Sequence, residues 1–137
     1  MDISNTLVNE WNTLQTQSDS YEKHSLYIKL LAIAITASTA LLIAKTSLYI
    51  VIILAILWLQ DAIWKTFQAR ISDRLIKVET ALQETNSANN LPPCQLNSEW
   101  LAKRSGFVGL IKEYLCHAVR PTIAFPYILL IGLILCI

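Results

Sequence analysis

Residues 57–75, LWLQDAIWKTFQARISDRL, begin as an apolar helix suited to lipid and end as a charged helix suited to water. No glycine or proline interrupts the stretch, so we expect one helix to run through the change of solvent. Gln60 and Asp61 lie at the change, between Trp58 and Trp64, and indole side chains are typical of the interface between membrane and water. The stretch therefore indicates a helix that leaves a membrane.

Gln60 and Asp61 can be interpreted in three ways. In the first, they mark the cytoplasmic boundary of the membrane, where Asp61 and Lys65 have the spacing and order of a favourable helical ion pair. In the second, Asp61 lies deep enough in the membrane to face the interior of a helix bundle or an ion path, because carboxylates inside a membrane usually serve a function. In the third, they form a contact between copies of the chain. We prefer the boundary interpretation.

The composition of the whole chain indicates a membrane protein. Of its 137 residues, 54% are hydrophobic and 15% are charged, whereas about 25% are charged in soluble proteins. The length suits one domain, and only three glycines are present, so tight β-turns are disfavoured. A net charge of +1 argues against a basic face that would bind nucleic acid. We expect an all-α integral membrane protein without a nucleic-acid partner.

Three segments are apolar enough to cross a bilayer as a helix, which takes about 20 residues. They are residues 26–44, 47–64 and 121–137. The first two are joined by the short turn KTS at residues 45–47, so residues 26–64 are predicted to form a transmembrane hairpin. Residues 1–25 are polar and lack the basic start of a signal peptide. We expect them to form an N-terminal cytoplasmic helix.

The basic residues predict the orientation of the three spans. Ten of the eleven Lys and Arg residues lie outside the turn at 45–47, and Lys45 is the exception. Basic residues favour the cytoplasmic side of a membrane protein. The N-terminus is therefore expected in the cytoplasm and the C-terminus in the periplasm of a multi-pass protein.

The second span is predicted to continue as an amphipathic helix to about residue 84. Apolar side chains recur on one face of that helix, at Phe67, Ile71, Leu75, Val78 and Leu82. The opposite face carries Lys65, Arg70, Asp73, Arg74 and Lys77, of which Asp73 and Lys77 are spaced as an ion pair. The apolar face requires a partner, either the N-terminal helix, a later cytoplasmic helix or a second copy. We expect it to form the interface between subunits.

The rest of the cytoplasmic region, predicted over residues 65–120, contains one loop and one further helical segment. Residues 85–97 are rich in Asn and Ser and include a proline pair, so they predict a loop. Residues 98–119 have the apolar spacing of an amphipathic helix, weakened in the middle by Gly106 and Gly109. These short helices are too small to form an independent enzyme domain of familiar type.

Small residues in the first span suggest a second contact between subunits. Ala32, Thr36, Ala40 and Ala44 recur at a spacing of four. Such a row lets the backbones of two membrane helices approach closely, and close packing drives the association of helices in a bilayer. Ala32, Thr36 and Ala40 are therefore predicted to belong to the oligomer interface.

The sequence contains no arrangement of residues that is typical of catalysis or metal binding. A glycine-rich phosphate loop, an H-E-x-x-H motif and a paired cysteine motif are all missing. Cys94, Cys116 and Cys136 are not spaced as a metal site, and adjacent residues such as Cys116 and His117 point in different directions on a helix. His24 and His117 are expected as ordinary histidines near the membrane surface. We predict no catalytic residue, no cofactor and no metal.

Three stretches resemble the RipA family of bacterial inner-membrane proteins. They are QSDSYEKHSLYIKLLAI, LWLQDAIWKTFQARISDRLIKVE and RPTIAFPY, and LQDAIWKTFQ within the second is the most specific. The resemblance covers about half of the chain by these motifs. It implies a protein of the bacterial cytoplasmic membrane that assembles as a homo-octamer and has no assigned enzymatic activity. It implies no catalytic residues.

Three functions are compatible with these features. The first is a homo-oligomeric membrane scaffold that positions an unidentified protein partner or organises the lipid bilayer. The second is a pore or transporter with Gln60, Asp61 and Lys65 near its cytoplasmic mouth, although internal repeats and broken spans typical of transporters are not evident. The third is a small effector that permeabilises its own membrane. We rank them in that order and expect no enzyme.

Overall fold

The computed structural model describes residues 3–42, 48–83, 91–103 and 106–136. These residues form five helices and no strand, which confirms the predicted all-α fold for this part of the chain. The helices are α1 (Ile3–Leu42), α2 (Leu48–Gln83), α3 (Leu96–Lys103), α4 (Gly106–Ala118) and α5 (Pro121–Cys136). The predicted turn at 45–47 and the first part of the predicted loop at 85–97 lie outside the described residues.

The first two helices are far longer than a bilayer is thick. α1 has 40 residues and α2 has 36, so they measure about 60 Å and about 54 Å, against about 30 Å for the hydrocarbon core. Neither contains glycine or proline, so nothing in the backbone ends them at the change from apolar to polar sequence. The predicted N-terminal helix and first span therefore lie on one continuous helix.

α1 and α2 pack antiparallel along their length. Trp11 Nε1 donates a hydrogen bond to Glu79 Oε1 at 2.9 Å at one end of the pair. Ala32 and Leu54 belong to one buried apolar cluster towards the other end. The buried positions of α1 recur at intervals of three, four or seven residues, at Leu7, Leu14, Ser18, Ser25, Ala32, Thr36 and Thr39. Such intervals keep one side of a helix turned towards its neighbour.

Two helices, or three, are suited to crossing a membrane. α1 and α2 each qualify by length and hydropathy, and α4 with α5 qualify together, although a bend of 70° separates them. α5 alone has 16 residues and is about 24 Å long. The described residues thus belong to a membrane protein, in agreement with the composition.

Apolar side chains cover the outside of the spans as well as the inside. Leu30, Leu31, Ile52, Ile56, Leu129 and Leu133 are all exposed on the single chain. Between the helices, Ala32, Ile50, Leu54, Tyr127 and Ile134 form the buried cluster. A continuous apolar exterior of this kind is unfavourable in water but suits contact with acyl chains.

The predicted row of small residues is largely used within the chain. Ala32 and Thr36 are buried, and the Thr36 hydroxyl donates to the Ala32 carbonyl oxygen at 2.9 Å. Ala40 is exposed, and Thr39 takes the buried position instead. Ala32 and Thr36 already face neighbouring helices of the same chain, so Ala40 is the one described member of the row whose side chain is free for a second copy, and Ala44 lies outside the described residues.

The apolar face of α2 outside the spans is also covered by the chain itself. Ile71 and Leu75 pack with Leu14 of α1, and Val78 is fully buried. Within the single chain the N-terminal half of α1 covers these α2 residues, so little of their surface is left for a second copy, and their place in a subunit interface stays a prediction. Phe67 remains 37% exposed. Leu82 is half-buried.

The predicted helix at 98–119 divides into α3 and α4 next to Gly106. Gly106 begins α4 with a φ of +69°, a left-handed conformation that residues with a side chain rarely adopt. α5 begins at Pro121, where a missing backbone N–H has no cost, and continues through Pro126. The bend between α4 and α5 thus falls directly before a residue that favours the start of a helix.

Candidate functional site

Asp61 lies at the centre of a buried polar cluster that joins α1, α2 and α5. Its side chain has no exposed surface. The Ser25 hydroxyl donates to Asp61 Oδ1, and the Tyr127 hydroxyl donates to Oδ2 at 3.4 Å. Lys29 Nζ lies 3.4 Å from the same Oδ2. We call Ser25, Lys29, Asp61 and Tyr127 the Asp61 cluster.

The neighbouring helices hold the partners of Asp61 in place. Ser25 and Lys29 are one turn apart on α1, and Lys29 Nζ donates to Ser25 Oγ at 3.2 Å. The ring of Tyr127 stacks on Trp58, with centroids 6.2 Å apart and planes at 8°. Trp58 Nε1 in turn donates to the Ala118 carbonyl oxygen at 3.0 Å. Trp58 therefore helps to orient Tyr127 in the site.

The Asp61 cluster balances one negative and one positive charge at the end of the apolar segments. An isolated carboxylate there would be strongly unfavourable, whereas a carboxylate with a cation and two hydroxyl donors is stabilised. Lys29 keeps 24% of its side chain exposed, so its charge remains partly hydrated. The cluster can thus hold a fixed charge between three helices, and charged groups inside a membrane usually serve a function.

The three predicted polar residues do not form one patch. Gln60 is exposed, Asp61 is buried and Lys65 is half-buried. The predicted ion pair between Asp61 and Lys65 is wrong, because Lys65 Nζ donates to Gln68 Oε1 at 2.8 Å while Asp61 pairs with Lys29. The spacing along α2 allowed that pair, but α1 offers Asp61 a cation on its buried side.

A second buried charge lies outside the spans, and sequence reasoning missed it. Arg74 is 2% exposed. Its Nε donates to Glu10 Oε1 at 2.9 Å, its Nη1 to Glu99 Oε1 at 2.5 Å and its Nη2 to the Pro92 carbonyl oxygen at 2.8 Å. Lys77 also pairs with Glu99. We call Glu10, Arg74, Lys77 and Glu99 the Arg74 network.

The Arg74 network joins the polar end of α1, α2 and α3 and corrects two predictions. Arg74 was assigned to the solvated face of α2, and Lys77 was paired with Asp73, but both cations point to carboxylates on other helices. Glu10 gave the available signal, because it lies three residues after Leu7 and four before Leu14 on the apolar face of α1. An acid on a buried face requires a buried cation.

The two histidines have different surroundings. The ring of His24 stacks on Trp64, with centroids 5.1 Å apart, and its Nδ1 lies 2.6 Å from the Ser20 carbonyl oxygen. His117 is buried, and its Nδ1 has no hydrogen-bond partner among the described residues. Burial, and next the charge of Arg120, lowers the pKa of His117 from its usual 6.5. The lowered pKa favours the neutral form of His117.

Metal ligands do not cluster in the described part of the chain. No group of three or more His, Cys, Asp or Glu side chains there could hold an ion. Cys94, Cys116 and Cys136 are exposed free thiols. The chemistry visible in these residues is the placement of buried charges between helices.

Comparison with protein-family models, with curated proteins and with solved structures finds no match to this chain. A fold does not fix a function, so the function depends on the buried charges and exposed surfaces themselves. These are the Asp61 cluster, the Arg74 network and the exposed face of α4.

Proposed function

We propose that this protein is a homo-oligomeric scaffold of the bacterial inner membrane, without catalytic activity. The observation that carries the proposal is the exposure of several large apolar side chains on α4, whose inner face includes the polar side chains of Glu113 and His117. The resemblance to RipA proteins suggests eight copies.

The inner face of α4 is partly polar. Glu113 accepts from Arg70 of α2, with Nη2 and Oε2 2.8 Å apart. His117 lies one turn further along and is buried. The guanidinium of Arg70 also lies over the rings of Phe67 and Trp100, at 5.1 and 4.6 Å from their centroids. These contacts fix which face of α4 points away from α2.

The outer face of α4 consists of large apolar side chains. Phe107, Val108, Ile111 and Leu115 are exposed, from 42% for Ile111 to 79% for Val108, and Val119 directly after the helix is exposed as well. Burying such a side chain contributes about 1.5–3 kcal/mol, so a contact that covers several of them is strongly favoured. A second copy that brings the same face would be covered in return. The proposal therefore places the subunit contact on α4.

In the proposed topology the hairpin of α1 and α2 and the helix α5 cross the membrane. The N-terminus lies in the cytoplasm and the C-terminus in the periplasm. α3, α4 and the polar ends of α1 and α2 then form the cytoplasmic part, where the outer face of α4 would otherwise meet water. The excess of basic residues on that side supports this orientation.

A charge at the centre of the outer face tests the proposal. We expect Leu115→Asp to insert into the membrane but to show a smaller assembly by native mass spectrometry of the detergent-extracted protein, because each contact would bury a lone charge. Ile76→Asp is the matched control, since Ile76 is also exposed, at 61%, but lies on α2. An unchanged mass for Leu115→Asp would contradict the proposal.

A pore is the second candidate, and the position of Asp61 and Lys29 at the end of the spans favours it. In that case Gln60 and Lys65, which keep exposed surface, would line the path between copies, and Asp61, which is buried within each chain, would act on it through Lys29. Ion flux into liposomes that contain the purified protein tests this candidate, with Asp61→Asn as the variant. Flux that depends on Asp61 would favour the pore, and no flux above that of empty liposomes would favour the scaffold.

A further inference from the structure

A polar cleft of about 590 Å³ lies between α1, α2 and the start of α5. Its lining includes Glu22, Lys29, Lys65, Asp73, Arg120 and Thr122. It adjoins the Asp61 cluster through Lys29. The volume falls within the range of small-molecule sites, about 300–1,000 Å³.

The charges of the cleft are not paired with each other. Of its three cations, only Lys29 forms an ion pair, with Asp61. Lys65 and Arg120 form none among the described residues, and neither do Glu22 and Asp73. The cleft thus presents two cations and two carboxylates that can each form an ion pair with a ligand.

The cleft also spans the change from apolar to polar surface. Thr122 belongs to the first turn of the apolar helix α5, and Asp73 lies on the charged part of α2. Beyond the cleft, Phe125, Ile128 and Leu129 expose their side chains along α5. A ligand that fills the cleft can therefore place a polar group between the charges and an apolar chain along α5.

We propose that the cleft binds the headgroup of a phospholipid that carries an amine, such as phosphatidylethanolamine. Lys65 and Arg120 hold the phosphate, as cations bind phosphate oxygens through charge-assisted hydrogen bonds. Glu22 and Asp73 hold the ammonium group. The same two carboxylates repel a headgroup that is only negative, so the cleft distinguishes an aminophospholipid from phosphatidylglycerol.

Lipid retention by the full-length protein tests the proposal, and it is counted per chain so that it does not depend on the proposed oligomer. The protein in detergent is mixed with equal amounts of phosphatidylethanolamine and phosphatidylglycerol, and bound lipid is measured by native mass spectrometry. We expect the ethanolamine lipid to be retained in excess. Arg120→Gln should lower its retention by about tenfold, the loss of one charged hydrogen bond.

Two further variants separate charge from lipid type. Glu22→Gln combined with Asp73→Asn should remove the preference between the two lipids while both still bind. Lys112→Gln, an exposed cation on α4 outside the cleft, should retain lipid like the unchanged protein. Equal retention of both lipids by the unchanged protein, displacement of lipid by inorganic phosphate, or unaltered retention by Arg120→Gln would each overturn the proposal.

Discussion

The Asp61 cluster and the Arg74 network both bury a charge of α2 against α1, but they do so in different solvents. Asp61 lies between apolar segments and is met by two hydroxyl groups and one partly exposed lysine. Arg74 lies beyond those segments and is met by two carboxylates and a carbonyl oxygen. Each site is close to neutral in total.

The two sites differ in the number of charged side chains that they contain. At the membrane end, hydroxyl groups replace a second ion, which limits the number of charges taken from water. At the polar end of the hairpin, the network uses four charged side chains and joins three helices. We therefore expect the Arg74 network to contribute more to the stability of the fold, and the Asp61 cluster to be easier to replace.

The largest expected effect follows from removing Arg74. Arg74→Leu would leave Glu10 and Glu99 without their main cation, and breaking one partner out of a buried ion pair costs about 3–5 kcal/mol. Thermal unfolding of the purified protein in detergent, followed by tryptophan fluorescence, measures the loss. Arg70→Leu is the control, with a loss of about 1 kcal/mol, because its partner Glu113 has a side chain 36% exposed. Equal losses in both variants would break the comparison.

A smaller effect is expected at Asp61. Asp61→Ala would leave the hydroxyl groups of Ser25 and Tyr127 without their acceptor, at a cost of about 1–3 kcal/mol by the same unfolding measurement. Lys29→Met should recover part of that loss in the double variant, since it removes the unpaired cation. Gln60→Ala, at the exposed neighbouring position, should change the stability by less than about 0.5 kcal/mol. A loss at Asp61 as large as that at Arg74 would contradict the ranking.

The sequence was sufficient for the elements of the fold and insufficient for the pairing of its charges. Uninterrupted apolar and charged residues predicted α2 across the change of solvent, because helix formation depends mainly on neighbours within one turn. The partner of Asp61 depends on where α1 lies beside α2. Lys65 was the favourable local choice, and Lys29 became available only through tertiary packing.

The same limitation applies to the cover of the apolar face of α2. The spacing of Ile71, Leu75 and Val78 predicted a buried surface on α2. The spacing does not show whether the helix that covers this surface belongs to the same chain or to another. The N-terminal helix was one of three candidates for that cover, and the spacing of its apolar residues did not distinguish it from a second copy. The continuous helix provides that cover. The apolar surface that remains for a partner is on α4, where the sequence had predicted an ordinary amphipathic helix.

The stability of the protein should depend on pH through His117. Burial and Arg120 lower the pKa of His117 in the folded protein, while Glu113 and Asp73 oppose this and Arg70 adds to it. The unfolded chain therefore binds more protons near neutral pH, and stability should fall as the pH drops below 6.5, the usual value for histidine. His117→Phe should flatten this dependence between about pH 7.5 and about pH 5.5, as measured by the unfolding temperature. An unchanged slope would assign the dependence to other groups.

The smallest effect is expected at the exposed end of the hairpin. Trp11→Phe removes the hydrogen bond to Glu79 but keeps an aromatic ring against α2. Because this bond is exposed to solvent, its loss should lower the free energy of unfolding by about 0.5–1 kcal/mol. Chemical unfolding in detergent is sensitive enough to compare this variant with the unchanged protein. A loss of several kcal/mol would contradict this, because it would mean that the contact between Trp11 and Glu79 is a main source of stability in addition to the two charged sites.

The unbroken length of α1 has a mechanical consequence. The part before residue 26 extends about 35 Å beyond the apolar segment, with no glycine or proline to act as a hinge. Membrane helices adapt to a thinner or thicker bilayer by tilting, and a tilt of about 10° would displace the far end of such an arm by about 6 Å. α2 runs beside it without a break, so the pair would move together. In the proposed topology, the hairpin is a lever that translates bilayer thickness into the position of its cytoplasmic end.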